Sequence, residues 1–188
     1  IRDSLYMPSI MRDFPEFHYD EMKSRAENVL TSYLQSITGQ NPALLSEGTK
    51  ELKEQLRLRL EMLQNQSQKE SFENIHIHRT EIHQYRKQRG RQSIVLQTAV
   101  EYFHALKENG KVIRGSEEHK EQAKYNVELV YIQDQDMIEN QEDAGLGLNC
   151  PNCGAPLPGL GAKKCIYCDT PIVEYNLRVW NFSRVEEV

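Results

Sequence analysis

Two Cys-x-x-Cys pairs, C150-P-N-C153 and C165-I-Y-C168, constrain this chain more than anything else in it. All four cysteines fall within one short stretch, and a Gly- and Pro-rich loop separates the pairs. Two thiolates two residues apart on a tight turn span about one edge of a tetrahedron. Two such turns facing each other complete a Zn(Cys)4 site with Zn–S bonds of about 2.3 Å. Cys150, Cys153, Cys165 and Cys168 are therefore the expected ligands of one structural Zn2+. Gly154 lets the chain turn back beneath the first pair, and Lys163 and Lys164 offset the negative charge of the thiolates. Two disulfides, free thiols or an iron–sulfur centre are the competing readings. Four thiolates leave no open position for a catalytic water, so the ion is expected to hold structure. The clustering also suits a reducing compartment better than a disulfide framework, which spreads its cysteines.

The rest of the chain must fold around that insert. A total of 188 residues suits one ordinary domain plus a small lobe. We place the body at residues 1–147 and 171–188 and the zinc-ribbon insert at 148–170. The hydrophobic pattern is helical first and β later. Met22, Ala26, Val29, Leu30, Tyr33, Leu34 and Ile37 mark one apolar face of a helix over 18–38. That helix starts at His18, is stapled by Phe17 and Met22, and stops at Gly39. Asn41 and Pro42 open a short helical turn. Thr49 opens a further helix to about Gln66, with Leu52, Leu56, Leu60 and Leu63 as its stripe. Residues 1–17, with two prolines, read as an irregular or short helical arm offering Leu5, Met7, Ile10, Met11 and Phe14.

From residue 72 the period changes to two. Strands are expected over 72–85, 92–106, 123–138 and 171–182, the second turning back at Asn109-Gly110. Ile75 and Ile77 share a parity that Ile82 breaks, so a β-bulge is predicted near Arg79–Thr80. The order gives an α+β fold, with N-terminal helices packed on a curved antiparallel sheet.

Few other motifs carry chemistry. His76, His78 and His83 could gather at a bulge, but a solvent-washed polar face explains them as well. Arg86, Lys87, Arg89 and Arg91 form a basic run that reads as a solvated turn. The acidic run Asp134–Asp143 reads as a linker, and Glu101, Glu128 and Glu174 fall on the outer face of the sheet. Nothing reads as a Ser-His-Asp order, a Walker loop or a dinucleotide fingerprint. A net charge of −5 and a pI of about 5.7 argue against nucleic acid.

The order of features resembles the Tim44-like domain family. The matching stretches are F17-H-Y-D-E-M22, S71-F-E-N-I-H-I77, Y102-F-H-A-L-K-E-N-G-K-V-I-R-G115 and R178-V-W-N-F-S-R-V185. The zinc insert departs from the mitochondrial form. The resemblance implies an NTF2-like cone with a hydrophobic pocket between a long helix and a curved sheet. That pocket would draw on Ala26, Leu30, Ile75, Ile77, Leu96, Val100, Val127 and Leu129, residues that equally suit plain core. It also implies membrane association and protein tethering without catalytic residues.

The expectation is thus a noncatalytic binding or scaffold module that contacts a protein partner or a lipid or peptide ligand. The chain begins at Ile1 rather than Met, so an anchor preceding it would hold the module on the cytoplasmic side of a membrane. The alternative is an NTF2-like enzyme acting on a small apolar ligand, which a pocket holding an ionisable pair would favour.

Overall fold

The computed structural model describes residues 2–88, 91–132, 153, 167–169 and 180–188. Among these the fold is α+β, with three α-helices followed by an open antiparallel sheet. The helices are α1 (Arg2–Asp13), α2 (Tyr19–Gly39) and α3 (Lys50–Asn65), with a 3-10 turn at Pro42–Leu44. The strands are β1 (Gln68–Gln88), β2 (Arg91–Glu108), β3 (Lys111–Gly115), β4 (Glu121–Ile132) and β5 (Trp180–Glu187). They run in the order β1-β2-β4-β5, and β3 pairs with the end of β2.

α2 forms where its apolar face requires it. Met22, Ala26, Val29, Leu30, Tyr33, Leu34 and Ile37 are all buried. Each large side chain removed from water contributes about 1.5–3 kcal/mol. His18 stands at the N-cap in extended geometry without a side-chain hydrogen bond. The helix runs through Gly39, and the left-handed residue that ends it is Gln40, at φ 52°. Asn41 N–H reaches back to the Ser36 carbonyl at 3.0 Å, so the last turn is closed by backbone rather than by a glycine. Thr49 caps α3 as expected, its hydroxyl accepting from Leu52 N–H at 3.2 Å. The N-terminal arm is more regular than its prolines suggest: Pro8 sits inside α1.

β1 is a bulged strand. Its register against β2 shifts between Glu73 and His76, between Ile77 and Arg79, and between Ile82 and Gln84. Each shift restores inward parity to the next apolar residue. Ile77 opposes Val100, Thr80 opposes Thr98, and Ile82 opposes Leu96, all on the helix side. The bulge expected near Arg79–Thr80 is the middle one of the three. Asn109 and Gly110 both have positive φ, 52° and 78°, as the tight β2–β3 turn requires.

The core lies between α2 and the inner face of the sheet. One end is filled by aromatic rings: Phe14 meets Tyr131 at 4.7 Å and Trp180 at 4.8 Å, and Phe17 meets Trp180 at 5.6 Å. α1 is held there by carboxylates at each of its ends. Asp3 accepts from the Ile82 backbone N–H at 2.8 Å, and Asp13 accepts from the Tyr85 hydroxyl at 2.7 Å. No described helix is long and apolar enough to cross a membrane.

Several sequence readings lie outside the described residues: Cys150, Cys165, Arg89, Glu174, the acidic run, and the strand segments 133–138 and 171–179. Cys153 and Cys168 are described, and both are exposed.

Candidate ligand cavity

The opposite end of the core is open. There the C-terminal half of α2, the face of α3, the start of β1, the end of β2, β3 and the ends of β4 and β5 enclose a cavity of about 660 Å3. That volume lies within the range of small-molecule sites, about 300–1,000 Å3. Leu34, Ile37, Leu58, Met62 and Phe72 give it an apolar floor and rim, and charged side chains form the rest of its wall.

The charged wall is a chain of four residues from four elements. Arg59 of α3 donates through Nε to Glu70 Oε1 of β1 at 3.1 Å. His104 of β2 is 2.8 Å from Glu70 Oε2 through Nε2, and 3.1 Å from Glu121 Oε1 of β4 through Nδ1. The Glu70 side chain is only 4% exposed and that of His104 14%. Burial pulls the Glu70 carboxyl upward, but the hydrogen bonds from His104 and Arg59 outweigh it, and its pKa lies below the ordinary value. The hydrogen bond to Glu70 raises the pKa of His104 against the opposing effect of burial. Both shifts favour the imidazolium–carboxylate form of the pair. Phe72 stacks on the imidazole at 4.7 Å and fixes its plane.

Local backbone chemistry brings β3 to this wall. Gly115 has φ +76°, and a Cβ there would stand 2.0 Å from the His104 carbonyl oxygen. Only glycine permits that approach, which lets Ser116 N–H bond the same carbonyl at 2.7 Å. Arg114 is thereby held at the cavity.

Two tyrosine hydroxyls complete the lining. Tyr33 accepts from Gln55 Nε2 at 3.0 Å. Tyr125 pairs with Tyr102 at 2.7 Å, and burial raises the pKa of both, that of Tyr102 to about 12.

The eight residues read as pocket lining from the family resemblance are elsewhere. Ala26, Leu30, Leu96, Val100, Val127 and Leu129 are wholly buried in the core, and Ile75 and Ile77 are half-buried against it. None of them lines this cavity. They alternate inward where α2 presses closest to the sheet, so helix side chains fill the space in front of them. The cavity begins beyond that contact.

The histidine reading resolves differently. The His76 and His78 rings are 4.9 Å apart on the outer face, and Glu101 Oε2 is 3.3 Å from His78 Nε2. His83 is the extra residue of the third bulge, in a separate polar cleft with Glu128 and Arg184. No group of three or more possible metal ligands gathers among the described residues. The basic run is partly neutralised: Lys87 pairs with Asp13, and Arg91 with Glu128 at 3.2 Å. His104 carried no motif. Its one sequence signal is an ionisable side chain at an inward-alternating position of β2, in line with Ile94, Leu96, Thr98, Val100 and Tyr102.

Fold and site together define an α+β protein whose antiparallel sheet and covering helices leave a ligand-sized cavity at one end. No family model matches the chain, and no curated protein matches it.

Proposed function

We propose that this chain is a noncatalytic binding module whose ligand occupies the cavity at the open end of the sheet. The observation that carries this reading is the engagement of both His104 ring nitrogens by carboxylates. A general base needs a free nitrogen within reach of the substrate proton. A ring with both nitrogens engaged by Glu70 and Glu121 offers none, and on this reading it is a fixed part of the wall.

The same proposal takes the body as a Tim44-like domain of NTF2-like cone shape, and residues 148–170 as a zinc ribbon holding one structural Zn2+ through Cys150, Cys153, Cys165 and Cys168. A protein partner, or a lipid or peptide, is its ligand class. On this proposal the module sits at a membrane, on the cytoplasmic side. The motif spacing and the family resemblance support these parts.

The second reading, an enzyme of the NTF2-like type, is favoured by the presence of an ionisable His–Glu pair in the cavity. It requires Glu121, the more exposed of the two carboxylates, to leave Nδ1 when substrate enters.

Nondenaturing mass spectrometry of the purified protein tests the proposal. A carried small molecule is expected, and Met62→Trp, which fills the cavity from its exposed rim, should remove it. A protein that carries nothing, or an adduct that survives Met62→Trp, would count against the binding reading. Turnover of a carried molecule that stops in His104→Gln would favour the enzyme.

A further inference from the structure

The wall of the cavity holds more hydrogen-bond donors than its own residues can satisfy. Tyr33 is 6% exposed, and its hydroxyl accepts from Gln55; among the described residues its own proton meets no acceptor. Tyr102 and Tyr125 have two hydroxyl protons and share one hydrogen bond. One proton of that pair is therefore left over. Either hydroxyl of the pair can donate to the other, and when Tyr102 donates the spare proton is on Tyr125, which lines the cavity as Tyr102 does not. Arg59 spends Nε and one terminal nitrogen on Glu70 Oε1, and its other terminal nitrogen makes no hydrogen bond among the described residues. Arg114 has no ion pair among them at all.

Buried donors without acceptors are costly, at about 1–3 kcal/mol each. The Tyr33 hydroxyl is such a donor; Arg59, with 35% of its side chain exposed, and Arg114, exposed on β3, add two guanidinium groups that solvent also reaches, and the set together suits an acceptor-rich guest. The carboxylates of the wall do not reverse this. Glu70 is spent on Arg59 and His104, and one oxygen of Glu121 is spent on His104. Glu187 is the one lining carboxylate with no ion pair among the described residues, and it lies at the exposed end of β5. Beside the donors, Leu34, Ile37 and Phe72 supply an apolar floor.

We infer that the cavity binds an amphipathic monocarboxylate, its oxygens on Arg114, Arg59 and the two tyrosine hydroxyls and its apolar body on the α2–α3 floor. This inference rests on the binding reading and names its ligand class. A carboxylate accepts up to four hydrogen bonds and pairs well with guanidinium, so it matches the donor set in number and charge.

Isothermal titration of the full chain with decanoate, decanol and decylammonium tests it. Decanoate is expected to bind at least tenfold tighter than either of the others. Arg114→Met should weaken decanoate about tenfold and leave decanol unchanged. Tyr33→Phe and Tyr125→Phe should each weaken decanoate severalfold, since each removes a hydroxyl and little packing. Decanol binding as tightly as decanoate, or decylammonium binding tighter, overturns the inference. So does decanoate binding indifferent to all three substitutions. If decanol binds and Met62→Trp abolishes it, the binding reading stands while the carboxylate inference fails. If none of the three binds, the carboxylate inference fails, and the carried-ligand measurement decides the binding reading by itself.

Discussion

The Gln55 side-chain amide meets both backbone groups of Val185: its Oε1 accepts from the Val185 N–H at 3.3 Å, and its Nε2 donates to the Val185 carbonyl. A glutamine on a helix thus takes the position of a neighbour strand along the edge of β5 that no described strand occupies. Thr38 does the same for β1, where its hydroxyl accepts from Phe72 N–H at 2.8 Å. Thr49 N–H covers the Phe182 carbonyl at 2.9 Å, and Arg25 the Trp180 carbonyl at 3.2 Å. Unpaired edges invite pairing with other chains. Here helix residues occupy their hydrogen-bonding positions.

Gln55→Met should therefore cost stability well beyond its loss of polarity. It strands a buried N–H and a buried C=O, worth about 1–3 kcal/mol each, and we expect roughly 2–3 kcal/mol in urea unfolding. A change under about 0.5 kcal/mol would mean that solvent satisfies Val185 without help.

Thr38→Val keeps the volume and deletes the hydroxyl. It should lose about 1–2 kcal/mol and raise light scattering on storage, because the freed edge of β1 can recruit another strand. Unaltered scattering with lowered stability would separate the two roles.

Two glycine substitutions should differ sharply. Gly110 has φ +78° with nothing within 4 Å of an added Cβ, so Gly110→Ala is expected to cost about 1 kcal/mol, for the left-handed backbone alone. Gly115→Ala adds a collision with the His104 carbonyl and should cost roughly 3 kcal/mol or more. Equal effects in thermal melts would show that β3 can move away from β2 freely.

The His104–Glu70 pair predicts a window of pH stability. His104 has its folded pKa raised above the ordinary 6.5, first by its hydrogen bond to Glu70, so its contribution is complete below 6.5 and fades as pH rises through the folded value. Glu70 has its folded pKa lowered from 4.5, burial being outweighed by its His104 and Arg59 bonds. Its contribution is complete above 4.5 and fades as pH falls through the folded value. Urea midpoints should be highest between about 4.5 and 6.5. His104→Gln should remove the decline on the alkaline side, and a decline that persists would assign it to another group.

The zinc proposal makes a separate prediction. Metal analysis should return one zinc per chain. A strong chelator should abolish amide protection across residues 148–170 while the helix–sheet body keeps its own. Apparent metal-binding energies of about 10–16 kcal/mol at such sites make the lobe's folding depend on the ion. Protection unchanged by chelation, or cysteines found oxidised to one another, would remove the ion from the account.

What could be read from the sequence was local. Thr49 as a cap, Asn109-Gly110 as a turn and the inward face of α2 each depend on residues a few positions apart. The parity break between Ile77 and Ile82 located a bulge for the same reason. The shifts beside Glu73 and Ile82 went unread, although Phe72 and Ile75, and again Ile82 and Tyr85, differ in parity in the same way. The cavity wall was illegible in principle. Arg59, Glu70, His104 and Glu121 look like ordinary surface charges until the topology neutralises them against one another. Ala26 and Leu96, which suited pocket lining and plain core equally, lie in the core: alternation says which face a side chain takes, and not how closely the opposite layer approaches.

β3 is five residues long and, among the described strands, pairs with the end of β2, after which Ser116–Lys120 leads directly into β4. Glu118 and His119 N–H groups both rest on the Ser116 hydroxyl, at 3.0 Å. This short connection joins Gly115 to Glu121, both of which line the chamber. Lengthening or recolouring it would alter what may enter while the walls stay as they are, so changes of guest during descent should accumulate there before they touch the sheet.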